Sequence, residues 1–151
     1  MNDFSVNAVA LNVAVWLACG VSIGWWYASR DWRRLRAPGL ITRLRNLDQR
    51  SLYERVLHVH YWKDLLPEAG TWFGGMSKRR LPRRSDGGLE RFAAESLRAE
   101  RVHWALLLVV PLVMTWSRGW WIPIHVSFGI AVNAPCIVVA RYNRLRIALL
   151  S

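Results

Sequence analysis

Residues 4–29 carry no charged side chain and are rich in Ala, Val, Leu and Trp. A helix through them covers the roughly 20 apolar residues that a bilayer core requires. Residues 102–117 and 119–140 are also uncharged, and only Arg118 separates them. Gly119 and Pro123 fall where a tight turn between two helices needs them. The pattern predicts an all-α integral membrane protein with three transmembrane helices, at 6–28, 102–117 and 120–140.

Charge sets the expected orientation. Seventeen of the 21 Lys and Arg lie between Arg30 and Arg101, against nine acidic residues there, so this segment carries a net +8. Short basic loops stay on the cytoplasmic side during insertion. Segment 30–101 is therefore expected in the cytoplasm, together with the tail 141–151 and its three arginines. The N-terminus holds only Asp3 and the hairpin tip only Arg118, which gives an N-out, C-in topology. Trp25, Trp26 and Trp32 at one end of the first span, Trp104 at the start of the second, and Trp116, Trp120 and Trp121 around the outer turn match interfacial belts. The N-terminus lacks the basic n-region and cleavage site of a secretory signal and is expected to be an uncleaved anchor. Cys19 and Cys136 fall inside spans, where a thiol acts as a small apolar group, so neither a disulfide nor a metal site is expected.

The length suits one membrane domain, 1–151, without repeats. Segment 30–101 is too small and polar for a core of its own and is expected to lie on the membrane as a basic, partly helical interfacial layer. Ala37-Pro38-Gly39 breaks the helix leaving the bilayer. Residues 40–66 then read as an amphipathic helix: Leu40, Leu44, Leu47, Leu52, Val56, Val59 and Leu66 face lipid, while Arg43, Arg45, Arg50, Arg55 and Lys63 face headgroups. Residues 67–88 read as loop. Gly74-Gly75 with Lys78-Arg79-Arg80 fits a solvated basic loop better than a phosphate cradle, because the spacing of a P-loop is missing.

The densest chemistry begins at Leu89, where a helical pattern runs into the second span carrying Glu95, Arg98, Glu100 and His103. At about 100° per residue these four occupy a little over half the helix circumference, with the small Ala99 among them. Glu100 is three residues from His103 and is expected to hydrogen-bond one ring nitrogen, while Glu95 pairs with Arg98. Ionisable groups entering a transmembrane helix are functional candidates by default; the bland reading is an interfacial salt-bridge network. In the third span Asn133 lies about 12 Å below Arg141, and Pro135 removes a backbone hydrogen bond close by, which predicts a kink with an inward amide. The span closes on Arg141-Tyr142-Asn143-Arg144-Leu145-Arg146, a set suited to gripping a phosphate or sugar.

The run Glu95 to Trp104 (ESLRAERVHW), the segment Asn133 to Arg146 (NAPCIVVARYNRLR), and Trp62-Lys63-Asp64 ahead of a glycine-containing loop together resemble the glycosyl-4,4'-diaponeurosporenoate acyltransferase family. The likeness covers residues 53–147. It implies a multi-pass enzyme of the bacterial cell (inner) membrane, with its active face cytoplasmic, that moves a fatty acyl group onto a sugar hydroxyl of a glycosylated carotenoid. Its expected partners are the lipid bilayer, an amphiphilic glycoside acceptor and a fatty acyl donor, with no nucleic acid. No bound cofactor is expected, and a basic face suits acyl-CoA as co-substrate. The chemistry of the residues gives His103 as general base, Glu100 as its orienting group, Arg98 held by Glu95 as oxyanion stabiliser, and Arg141 and Arg144 as donor grips. Tyr142, Asn143, Asn133, Trp62, Lys63 and Asp64 complete the expected substrate-binding set.

Other chemistries fit less well. Neither cysteine nor any serine lies in a recognisable nucleophile setting, which favours direct transfer over an acyl-enzyme. The His-x4-Asp spacing of many glycerolipid acyltransferases is missing. Glu100-Arg-Val-His103 is a single Glu-x-x-His pair, where di-iron bundles need two with further glutamates. A noncatalytic basic membrane adaptor is the alternative from a different class.

Overall fold

The computed structural model describes residues 6–67, 71, 74–77, 81–82 and 87–150. All regular structure among them is helical. Helix α1 is Val6–Ala28, α2 Val59–Trp62, α3 Gly88–Leu107, α4 Val109–Met114 and α5 Trp121–Ala148. Short turns of tighter or wider helix fill Trp32–Leu35, Leu52–Val56 and Lys63–Leu65.

Two helices, α1 and α5, are long and apolar enough to cross a membrane. At 1.5 Å per residue the 23 residues of α1 reach about 35 Å, past a hydrocarbon core of about 30 Å. Asn12 is the one buried residue among those described in α1, so nearly its whole apolar surface faces outward. It is fastened by polar contacts. Trp16 Nε1 donates to Nδ1 of His125 on α5 at 3.3 Å, and Asn12 Oδ1 accepts from Trp116 Nε1 at 3.2 Å. Trp16 also meets Phe128 edge-on, with centroids 5.0 Å apart.

Residues 102–117 do not continue as one helix. α3 stops at Leu107 and α4 starts at Val109, with the Leu108 N–H turned to Ala105 O at 3.1 Å. Pro111 is the physical reason: it has no N–H for the carbonyl of Leu107, four residues back, and its ring crowds that turn. α4 is six residues long, and the expected hairpin turn follows, with Gly119 at φ 56° just before α5. Helix α5 runs through Pro135 without interruption.

The inward face of α5 is a stripe of His125, Gly129, Asn133 and Ile137, spaced by four residues as one helix face requires. Gly129 marks the tightest crossing, since a Cβ there would lie 2.4 Å from Val110 Cγ2. α5 packs chiefly against α3, and α1 contacts both α3 and α4.

The expected amphipathic helix over 40–66 is absent. Residues 39–49 are turns and irregular backbone, followed by short helical pieces up to Leu65. The leucine spacing matched a helix, yet the residues divide by burial: Leu40, Leu47 and Val56 are exposed, while Val59 is fully buried with Tyr53 against Val139, Tyr142 and Leu145 of α5. Leu44, Leu52 and Leu66 pack around that cluster. The segment is a hook clasping the C-terminal part of α5. Lys78, Arg79 and Arg80 of the expected basic loop lie outside the described residues.

Candidate functional site

Glu100 is fully buried on α3, and its carboxylate joins the two arginines that end the apolar run of α5. Oε1 accepts from Arg141 Nε at 2.9 Å, and from Trp104 Nε1 at 3.4 Å; Oε2 accepts from Arg144 Nη1. A carboxylate in such a place stays charged only with close cationic and hydrogen-bonding partners. The same arginines carry the hook. Arg141 Nη2 donates to Ile41 O and Arg43 O at 3.0 Å each, its Nη1 lies 3.6 Å from Asp48, and Arg144 Nη1 donates to Thr42 O at 2.7 Å. Arg141 therefore engages all three guanidinium nitrogens within the protein. It ties α3, α5 and the hook together at the helix end where a donor grip was expected.

The hook adds its own polar seam. Asp48 accepts from Tyr53 OH at 2.5 Å and from the Arg45 N–H at 2.7 Å. Burial is the main reason that the Tyr53 phenol is pushed well above its ordinary pKa, and the Asp48 hydrogen bond adds to it. Glu54 accepts from Arg50 Nε at 2.8 Å and from Tyr142 OH at 2.9 Å, and these bonds, Arg50 first, hold its carboxyl below the usual value. Asp48, Tyr53, Glu54 and Thr42 were not singled out in the sequence. Their partners on α5 are distant in the chain, and no local spacing marks them.

His103 sits half-buried near the C-terminal end of α3, and the expected bond from Glu100 is replaced. Nδ1 of His103 lies 2.9 Å from Oδ1 of Asn133, the inward amide of α5. That amide is itself oriented, because Asn133 Nδ2 donates to Gly129 O at 2.9 Å. With its N–H2 committed to a carbonyl, the amide presents its oxygen to the ring, which favours a neutral imidazole with its proton on Nδ1 and its basic lone pair on Nε2. Asn133 thus occupies the position at Nδ1 that was expected of Glu100, and brings no second charge.

Glu95 and Arg98 pair as expected, at 2.5 Å, and both are buried. Arg98 lies five residues from His103, about 140° round the helix at 100° per residue. That angle sets Arg98 on a different side of α3 from the imidazole, where it pairs with Glu95. Ala99, one turn before His103 on the same side of the helix, is half-buried. Asn143 is fully buried, and Tyr142 faces the hook. Trp62 donates to Leu57 O at 2.8 Å and Lys63 contacts Asp64 at 2.6 Å, so these described bonds of the Trp-Lys-Asp triplet are internal to the hook.

Fold and seam define a class: among the described residues, a helical protein with two helices able to cross a membrane, and buried ionic and amide contacts close to a histidine. The chain belongs to the glycosyl-4,4'-diaponeurosporenoate acyltransferase family, whose model matches residues 24–151. It is similar to the glycosyl-4,4'-diaponeurosporenoate acyltransferase of Staphylococcus haemolyticus (strain JCSC1435), 31% identical over 99 residues, which are 64% of this chain and 57% of that relative. The chain thus matches little more than half the length of this curated relative. No solved structure matches the chain.

Proposed function

We propose that the chain is a membrane acyltransferase that esterifies a sugar hydroxyl of a glycosylated carotenoid acid, with His103 as general base. The observation that supports His103 as the base is its contact with Asn133, whose amide is held by Gly129 O: an amide oxygen beside Nδ1 favours a proton there and a lone pair on Nε2. The reaction class comes from the family. The hydroxyl proton passes to Nε2 as the hydroxyl oxygen forms its bond to the acyl carbonyl carbon. Collapse of the tetrahedral adduct breaks the bond to the donor's leaving group, which takes the proton back from His103. Atoms and charge balance without a metal or covalent enzyme intermediate. In this reading the small Ala99 side chain, one turn before the ring, lets the hydroxyl approach, and the α3–α5 seam positions the base.

The membrane supplies the other half of catalysis. Donor and acceptor both partition into lipid, and a site where a span meets the interface aligns their polar ends and lowers the entropic cost of encounter. In this reading α1 and α5 span the cell membrane, α3 with α4 enters it, the topology is N-out and C-in, and the basic segment lies on the cytoplasmic face. The test is direct: cells making the His103→Ala protein should lose the acylated glycoside, read by mass in extracted lipids, by about 10²- to 10⁴-fold in rate. Undiminished product from that variant at equal protein level would sink the reading.

A further inference from the structure

A cavity of about 220 Å³ opens on the side of α3 away from His103, lined by Arg36, Glu90, Ala93, Ala94, Leu97 and Arg144. Two of its α3 residues, Ala93 and Ala94, are small. Two guanidinium groups face it against one carboxylate. Among the described residues, both hydrogen bonds of the Arg144 side chain leave from Nη1, to Thr42 O and Glu100. The Nε–Nη2 edge is the remaining half of its donor fork, on a residue that is itself only 8% exposed. Arg36 closes the other wall through an ion pair with Glu90 at 2.8 Å, and both partners are at least half exposed. Exposed pairs of this kind contribute little, so Arg36 can exchange Glu90 for a better anion at small cost. Close by, Arg101 is tied to the carbonyls of Leu35 and Ala37 and contributes a further positive charge.

We propose that this cavity binds a phosphate ester, with the free edge of Arg144 and the Arg36 guanidinium as its two cationic walls. A planar N–H fork matches a phosphoryl group in two-point fashion, and the small Ala93 and Ala94 leave room for the phosphoryl oxygens. The ester belongs either to a soluble phosphorylated thiol carrier of the acyl group or to an anionic phospholipid. The inference rests on the acyl-transfer reading only for its biological use, because the binding itself is measured without turnover.

The experiment uses the full chain in a phosphate-free maltoside detergent, with coenzyme A in one arm and phosphatidylglycerol in the other, at about 0.15 M salt, where the Debye length is about 8 Å. Arg36→Gln removes one wall, Ala93→Leu fills the space, and Arg33→Gln removes an equal charge from a neighbouring exposed arginine. The site predicts that Arg36→Gln and Ala93→Leu each weaken binding of one probe about tenfold or more, while Arg33→Gln changes it about twofold at most. Coenzyme A behaving so assigns the soluble source; phosphatidylglycerol behaving so assigns the lipid. Binding of neither probe, equal weakening by Arg33→Gln, or no weakening by either cavity variant overturns the proposal. Acyl transfer measured in parallel separates the two ideas: a cavity that binds nothing in a protein that still forms product refutes the site alone.

Discussion

The imidazole of His103 and the amide of Asn133 meet across α3 and α5 at 2.9 Å, and the amide's other end is fixed by Gly129 O. An amide oxygen at Nδ1 favours a proton on that nitrogen, so three residues on two helices bear on which ring nitrogen is basic. Replacing Asn133 by Leu removes the acceptor at Nδ1 and frees the ring to change tautomer and rotamer. The expected result is a loss of kcat of about tenfold or more with KM little changed, whereas Asn133→Gln or →His should restore part of it if an acceptor still reaches Nδ1. Product formation by mass, measured at several acceptor concentrations, separates the two parameters. An Asn133→Leu protein with unchanged kcat would remove the relay from the mechanism.

Ala99 lies one turn before His103 on the same side of α3, so if the acceptor approaches the ring there, a larger side chain should block it while sparing the fold. Ala99→Leu is expected to raise the acceptor KM or abolish product, with thermal stability within about 1 kcal/mol of the parent because the position is only half-buried. The comparison is between melting midpoint and product yield on the same preparation. Unimpaired turnover would place the acceptor elsewhere.

Glu100 predicts a different kind of defect. It is fully buried with Arg141 and Arg144 as partners, and Glu100→Gln leaves two guanidinium groups without their shared carboxylate. Breaking one side of a buried ion pair costs about 3–5 kcal/mol. The hook should then loosen from α5, because the same arginines hold Ile41, Thr42 and Arg43. Denaturant titration and proteolysis within 39–66 read both effects. Loss of activity with full stability would return Glu100 to a direct chemical role.

Much of this architecture was legible in the order of charges and much of its chemistry was not. α1 and α5 follow from uncharged runs whose length alone fits a bilayer, and Gly119 turns where a hairpin requires a positive φ. The break at Leu108 was also in the sequence, as Pro111, but an uncharged run obscures a backbone donor that is missing. Glu100 is near His103 in sequence and pairs instead with Arg141 and Arg144, since spacing on one helix lists possible neighbours and a second helix chooses among them. The leucines of 40–66 show the same limit. Their spacing allows an amphipathic helix, whereas the burial of Tyr53 and Val59 on α5 favours turns.

Acid should act on the hook through Glu54. Its carboxyl is held below the ordinary value, first by the hydrogen bond from Arg50 and then by that from Tyr142. A depressed folded-state pKa gives stability that is complete above the unfolded value and fades as pH falls through the folded one. The hook should therefore lose this contribution as pH falls below the ordinary carboxyl value of 4.5. At the alkaline end Tyr53 acts with the opposite sign. Its raised folded-state pKa gives stability that is complete below the unfolded value of 10.0 and is lost as pH rises through the folded one. Glu54→Gln should flatten the acid limb of a stability–pH curve, and Tyr53→Phe the alkaline limb, each leaving the other limb intact. Two limbs that flatten together would mean that the hook responds as one unit to any loss of contact.

The closest helix crossing gives the sharpest steric test. A Cβ on Gly129 would sit 2.4 Å from Val110 Cγ2 and 3.5 Å from Trp16 Cη2, so α1, the α3–α4 arm and α5 converge on one missing side chain. Valine is stiff at χ1 and cannot swing aside freely, so the helices must part. Gly129→Ala is expected to destabilise by about 1–3 kcal/mol, and Val110→Ala in the same chain should recover most of that loss by removing the opposing methyl. Gly129 O also holds the Asn133 amide, so parting these helices should disturb the His103 relay and lower kcat in step with stability. Recovery of stability in the double variant without recovery of turnover would show that the crossing positions the base through the backbone of residue 129, and an undisturbed single variant would show that the crossing is looser than this geometry requires.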